Sequence, residues 1–210
     1  MEAQTKNGKV TEYKNKVVSI TPAGKFTAIG PGTTTVTGKD SKSNTVTVTV
    51  TVVPVSTKGM TYITKGKTET VRFPKVTNSK ADWWKSSAEA VATVDTAKKT
   101  GKVTGKSYGS SDISCQYKRF TFNTTAYVED PELEFGGTAI QTKEKIEMKA
   151  GEMKQFKVNK IYQTLNYKSS KPASAFVDEN GFVYARKKGK ATISTKINGA
   201  TYQFTVNVTE

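Results

Sequence analysis

Threonine and valine alternate without a break from Thr45 to Val52, and Val53 follows, so Val46, Val48, Val50 and Val52 fall on one side of an extended strand. Shorter runs of the same character flank it. Val17 to Ile20, Lys25 to Ile29 and Thr33 to Thr37 come before; Met60 to Ile63, Thr68 to Phe73, Asp112 to Tyr117, Arg119 to Val128 and Thr201 to Val208 come after. Glycine and proline fall between the runs, as in Thr21-Pro22-Ala23-Gly24, Gly30-Pro31-Gly32 and Lys65-Gly66-Lys67, which read as turns. Ala88, Glu89 and Ala90 are poor strand formers, so Ser87 to Ala92 is the candidate for a single helical turn. Residues 1–12 are polar and predict no element.

One glycine-bracketed pattern occurs three times. Gly24 and Gly32, Gly101 and Gly109, and Gly181 and Gly189 each stand eight residues apart. An apolar residue follows the first glycine by two places (Phe26, Val103, Val183), and another follows the second by four (Val36, Ile113, Ile193). The copies start 77 and then 80 residues apart, about one small β domain, so the chain reads as modules in a row. Trp84-Lys85-Ser86-Ser87 recurs 83 residues later as Tyr167-Lys168-Ser169-Ser170. Glu129-Asp130-Pro131-Glu132-Leu133-Glu134-Phe135-Gly136-Gly137 is an acidic link between modules. The expected division is 1–54, 55–130 and 131–210. Tyr13-Lys14-Asn15 matches Tyr167-Lys168-Ser169, so the first module is expected to lack its opening third and to expose strand edges. Tyr13 and Val17 are then candidate partner contacts.

Composition limits the chemistry. The chain has no histidine and one cysteine, so His-based catalysis and an intrachain disulfide are excluded. Ile113, Cys115 and Tyr117 share one strand face, which makes Cys115 a small core residue. No metal site or cofactor is expected: Asp178-Glu179-Asn180 reads as a turn before Gly181, and the acidic link offers only a weak calcium alternative. No run is long and apolar enough for a membrane helix, and the first residues do not read as a secretory signal. Lys and Arg number 33 against 18 Asp and Glu, a formal charge of +15. The lysines are scattered, which reads as a solvated surface that keeps strand edges apart; no specific nucleic-acid site is expected.

The recurring residues resemble the bacterial immunoglobulin-like domain, group 2. The match in the second module is Trp84-Lys85-Ser86-Ser87, Ala92-Thr93-Val94, Gly101-Lys102-Val103 and the strand at Ile113. In the third it is Tyr167-Lys168-Ser169-Ser170, Phe176-Val177, Gly181-Phe182-Val183, Gly189 and Ala191-Thr192-Ile193. The resemblance implies an all-β chain of tandem immunoglobulin-like sandwiches, with Gly24, Gly101, Gly181, Gly32, Gly109 and Gly189 as scaffold turns and Trp84 and Tyr167 between the sheets. Trp83 then faces outward, as a contact residue. The function this implies is non-enzymatic. A phage virion component docked on a capsid or tail lattice is the first expectation. A secreted bacterial surface adhesin or cell-wall protein, extracellular and binding glycan or host protein, is the second.

Overall fold

A computed structural model describes residues 5–6, 9–10, 13–14, 16–39, 42–53, 59–73, 76 and 78–210. Its first unit holds β1 (Thr5–Lys6), β2 (Lys9–Val10), β3 (Tyr13–Lys14), β4 (Val18–Ile20), β5 (Phe26–Ala28), β6 (Gly32–Lys39) and β7 (Thr45–Val52). The second holds β8 (Gly59–Thr64), β9 (Thr68–Thr70), a 3-10 turn at Asn78–Lys80, β10 (Trp83–Ser86), β11 (Ala92–Val94), β12 (Lys102–Gly105), β13 (Gly109–Tyr117) and β14 (Phe120–Glu129). The third holds β15 (Glu132–Phe135), β16 (Thr138–Ile140), β17 (Lys145–Lys149), β18 (Met153–Asn159), β19 (Lys168–Ser169), β20 (Ala175–Val177), β21 (Phe182–Ala185), β22 (Gly189–Ile197) and β23 (Ala200–Thr209).

The second and third units are sandwiches of one topology. Sheet β10-β13-β14-β8 lies over β11-β12-β9, and sheet β19-β22-β23-β17 lies over β16-β15-β18-β21-β20. In each, the final strand pairs antiparallel with its hairpin partner and, on its other edge, parallel with an early strand: β14 with β8, β23 with β17. This is the immunoglobulin-like arrangement of two aligned antiparallel sheets with one early strand crossing to the other sheet. Alternate residues point inward and make the cores. Ile63, Trp84, Val103, Ile113, Cys115, Ala126 and Val128 are buried in the second unit; Met148, Phe156, Val183, Ile193, Phe204 and Val206 are buried in the third. Trp84 stacks on Phe73 with ring centroids 6.0 Å apart, and Tyr167, half-buried, meets Phe156 edge-on at 5.4 Å.

The repeated first glycine is required at two places by both conformation and space. Gly101 and Gly181 have φ of +70° and +81°. A Cβ on Gly101 would strike the Asn78 amide and Val71 O, and one on Gly181 would strike Phe156 O and the Tyr167 ring. Those close approaches let Val71 N donate to Gly101 O (2.9 Å) and Phe156 N to Gly181 O (2.8 Å), which ties the turn to the neighbouring strand.

Three expectations need correction. β9 ends at Thr70 rather than Phe73, because the Asn78 side chain donates to Val71 O (2.9 Å) and takes the place of a ladder partner there. The segment 1–12, expected to be featureless, contains β1 and β2, paired as Thr5 with Val10 and Lys6 with Lys9. Tyr13–Lys14 pairs with β4 (Tyr13 with Ile20, Lys14 with Ser19), whereas β10 and β19 pair across to β13 and β22. The cause is chain length. Val94 and Val177 each lie ten residues beyond Trp84 and Tyr167, but Ile20 lies only seven beyond Tyr13, too few to cross between sheets. The helical turn at Ser87 to Ala92 does close, with Ala92 N donating to Ala88 O at 3.0 Å.

Candidate interaction surfaces

The described residues contain no group of three or more His, Cys, Asp or Glu placed to hold a metal ion. Cys115 is fully buried, and burial pushes its thiol up to about 11. What the fold does build is a set of junctions and one uncovered face.

The junction between the second and third units centres on Glu129. The acidic segment expected to link the modules is mostly strand: β14 runs through Glu129 and β15 starts at Glu132, leaving Asp130 and Pro131 between them. Glu129 is fully buried, and four N–H groups of the third unit converge on its carboxylate. Tyr162 N (2.9 Å) and Gln163 N (3.2 Å) donate to Oε1; Gln163 Nε2 (2.6 Å) and Asn198 Nδ2 (2.9 Å) donate to Oε2. A buried carboxylate is tolerable only with this many donors. Asn198 gets there because Asn198-Gly199 forms the two-residue β22–β23 hairpin, with φ of +47° and +78°, and the tip faces the preceding unit. Its amide also donates to Thr64 Oγ1 (3.1 Å). Around this centre, Lys65 pairs with Asp130 (2.7 Å) and Lys160 with Glu132 (2.5 Å). Tyr62, Tyr127, Tyr162 and Tyr108 form a run of ring contacts with centroids 5.6, 4.7 and 5.0 Å apart. Partial desolvation and the adjacent Tyr108 phenol push the Tyr162 phenol above its ordinary range. Sequence reasoning placed Glu129 in the link between modules and passed over Gln163 and Asn198. The signal available was the Asn-Gly hairpin turn.

The first junction uses the equivalent hairpin. Lys118 (φ +59°) and Arg119 form the β13–β14 tip, and Arg119 Nη1 donates to Lys16 O at 3.3 Å. Gly30 is buried beside that side chain, and a Cβ there would meet Lys16 O at 2.8 Å and Arg119 Cβ at 2.9 Å. Ser19, Thr27, Ala28 and Ile29 line a groove there with Asp82, Lys118 and Arg119.

The first unit itself is thinly covered. Among the described residues only Val18 and Ile20 are buried in its core, with Val17, Val36, Val50 and Val52 packed partly against them. Strand pairing aligns Phe26 with Val103 and Val183, which are fully buried, yet Phe26 is 46% exposed. Val48 aligns with Thr124 (6%) and Phe204 (0%), yet is 47% exposed; Val46 is 66% exposed. β6 and β7 form a two-stranded sheet, and among the described residues nothing takes the place of β8, β9 or β10.

The remaining contact candidates separate. Val17 lies half-buried against the first core, and its carbonyl accepts from Ile29 N (2.8 Å). The Tyr13 side chain lies outside the described residues, as does Pro54, expected to end β7. Trp83 is half-buried on the outer face of β10, opposite in direction to Trp84. Its indole N–H donates to Gln116 Oε1 (2.5 Å) and Lys85 Nζ lies 5.2 Å from its ring centre.

No protein-family model and no curated protein matches the chain. Solved structures resemble it at low identity. A C-terminal 282-residue fragment of intimin, in complex with the intimin-binding domain of its translocated receptor, is 19% identical over 67% of this chain, with a TM-score of 0.42. The chain spans 56% of that fragment. Domains 4 and 5 of the S-layer protein SbsC are 19% identical over 67% of this chain and 83% of theirs (TM-score 0.26). The insect immune protein hemolin is 12% identical over 74% of this chain and 46% of its own (TM-score 0.32). At these identities and with TM-scores below 0.5, the likeness carries no function across. The chain is an all-β protein of tandem immunoglobulin-like sandwiches.

Proposed function

We propose that this chain is a non-enzymatic structural and interaction protein, a short rod of modules at 1–54, 55–130 and 131–210 of the bacterial immunoglobulin-like group 2 type, docked through its first module. The observation that carries the reading is the contrast between units. Two have closed cores and a junction locked on Glu129, while the first leaves Phe26, Val46 and Val48 exposed. Exposed apolar surface of that kind marks an interaction site. No pairing within the chain can neutralise an excess of 15 basic residues, which suits an acidic partner surface. A phage head or tail lattice, with the protein as a virion decoration, is the assembly this reading favours.

A second reading, a secreted bacterial surface protein that binds glycan or host protein, draws on Trp83 and Lys85 on an open sheet face. The genes flanking this one separate the two. Capsid, tail or portal genes support the virion reading; sorting or secretion genes overturn it in favour of the second. Loss of glycan binding in Trp83→Ala would support the surface protein.

A further inference from the structure

We infer that the free edge of β7 is an acceptor for one extended segment of a partner polypeptide, added parallel to β7 with a bulky apolar residue opposite Val52. This deepens the docking role proposed above and rests on it.

The chain contains two filled versions of the same site. β13–β14 and β22–β23 align with β6–β7 through the pairs Gly109 with Val128, Gly189 with Val208 and Gly32 with Val52. In the second unit β8 runs parallel to β14, with Ile63 opposite Val128 and Thr61 opposite Ala126. In the third unit β17 runs parallel to β23, with Met148 opposite Val208 and Ile146 opposite Val206. Ile63 is 0% exposed and Met148 is 1% exposed, so that one position of the added strand enters the core. The register transfers directly: the occupant places its buried apolar residue opposite Val52 and a β-branched or apolar residue opposite Val50. No strand among the described residues stands there, and Val48 on the same face is 47% exposed. An unpaired edge beside exposed valines is the surface on which strand addition occurs, with main-chain bonds giving affinity and alternate side chains giving specificity.

Charge defines the occupant's ends. Residues 16–53 contain Lys16, Lys25, Lys39 and Lys42 against Asp40, and Lys39 pairs with Thr45 where β7 begins. An occupant that runs parallel to β7 and carries an acidic residue at its N-terminal end meets Lys39, and acidic flanks suit the net positive charge of these residues.

The test uses the full chain and a synthetic peptide carrying the sequence of residues 59–64, with a glutamate at each end; a scrambled peptide is the control. The expected result is saturable one-to-one binding, slowed amide exchange from Val48 to Val52, and about tenfold or greater weakening in Val48→Asp, which buries a charge in the complex. Exchange in the free wild-type chain gives a second readout that does not depend on the variant. Equal binding of the scrambled peptide, unchanged affinity in V48D, or protection in the free chain of those alternate β7 amides that point away from β6 would each overturn the inference. So would a self-associated chain that the peptide does not dissociate, since a second copy would then be the occupant. A negative peptide result beside capsid-gene neighbours would reject the strand-addition inference alone; secretion-gene neighbours would reject the virion reading alone.

Discussion

Removing the Glu129 carboxylate separates the contribution of the second junction from that of the two cores. Glu129→Ala takes away the acceptor of four hydrogen bonds, at 2.9, 3.2, 2.6 and 2.9 Å. The Gln163 and Asn198 side chains already bond each other (3.0 Å) and can partly compensate. The backbone N–H groups of Tyr162 and Gln163 are fixed by the chain and lose their partner, at about 1–3 kcal/mol each when buried. Relief of the buried charge's desolvation offsets part of this. The net expectation is about 3–5 kcal/mol of destabilisation for Glu129→Ala. Glu129→Gln keeps the volume but turns an NH2 toward two donors whichever way the amide is placed, and costs about 1–3 kcal/mol.

The assay follows from where the tryptophans are. Trp83 and Trp84, the chain's two tryptophans, both lie in the second unit, so their fluorescence in urea reports that unit. Amide exchange at Tyr162 and Gln163 reports the third unit's side of the junction. Glu129→Ala is expected to accelerate exchange at both amides and to lower the fluorescence midpoint. Unchanged exchange at Tyr162 and Gln163, or a loss of stability under about 1 kcal/mol, would refute the assignment of Glu129 as the lock, because the four bonds would then be replaceable by water at no cost.

Alanine at the recurring first glycine should cost different amounts in the three copies. Gly24→Ala meets nothing within 4 Å and costs about 1 kcal/mol for positive φ alone, whereas Gly181→Ala also strikes Phe156 O and costs at least about 3 kcal/mol, read by denaturant midpoints. Equal losses would reject the steric part of that account. The buried Cys115 thiol, raised to about 11 from 9.0, stays neutral in the folded chain. Its contribution is therefore full below pH 9 and is lost as pH rises to about 11; Cys115→Ala should flatten that part of the stability profile, and a thiol reagent at pH 8 should react only on unfolding. Trp84→Ala should cost about 3–5 kcal/mol by opening a cavity against Phe73, while Trp83→Ala, on the outer face, should cost under about 1.5 kcal/mol; calorimetry of the two variants distinguishes them.

The scaffold was legible because its requirements repeat. Gly24, Gly101 and Gly181 share φ near +75° (78°, 70° and 81°), and Gly32, Gly109 and Gly189 share φ of 138°, 149° and 146°, so one turn chemistry had to appear three times. Strand alternation put Ile113 and Cys115 on one face and the match to Tyr167 put Trp84 between the sheets; all three are buried. Glu129 was not legible, since a glutamate in an acidic run beside a proline reads as solvated; its burial depends on four donors supplied by residues 33 or more positions later. The pairing of Tyr13 was misread because the local match to Tyr167 is good, while the deciding quantity is the three-residue shortfall before Ile20.

The same comparison explains how one repeated scaffold yields different contacts. The stretch from Gly181 to Thr195 keeps its apolar positions across the three copies and loses its lysines, so it closes each sandwich without specifying a partner. Specificity moves to positions that do not recur. The hairpin tip is Asn198-Gly199 in the third unit, where it bonds Glu129 and Thr64, and Lys118-Arg119 in the second, where it bonds Lys16 O. In the first unit the tip follows Lys39 and is longer, with five residues between β6 and β7 against two in the others. The exposed apolar surface of the unit whose core is least covered lies instead on its strands, with Val46 and Val48 on the two-stranded β6–β7 ribbon, so the contact that does not recur in the other units is a sheet face rather than a hairpin tip.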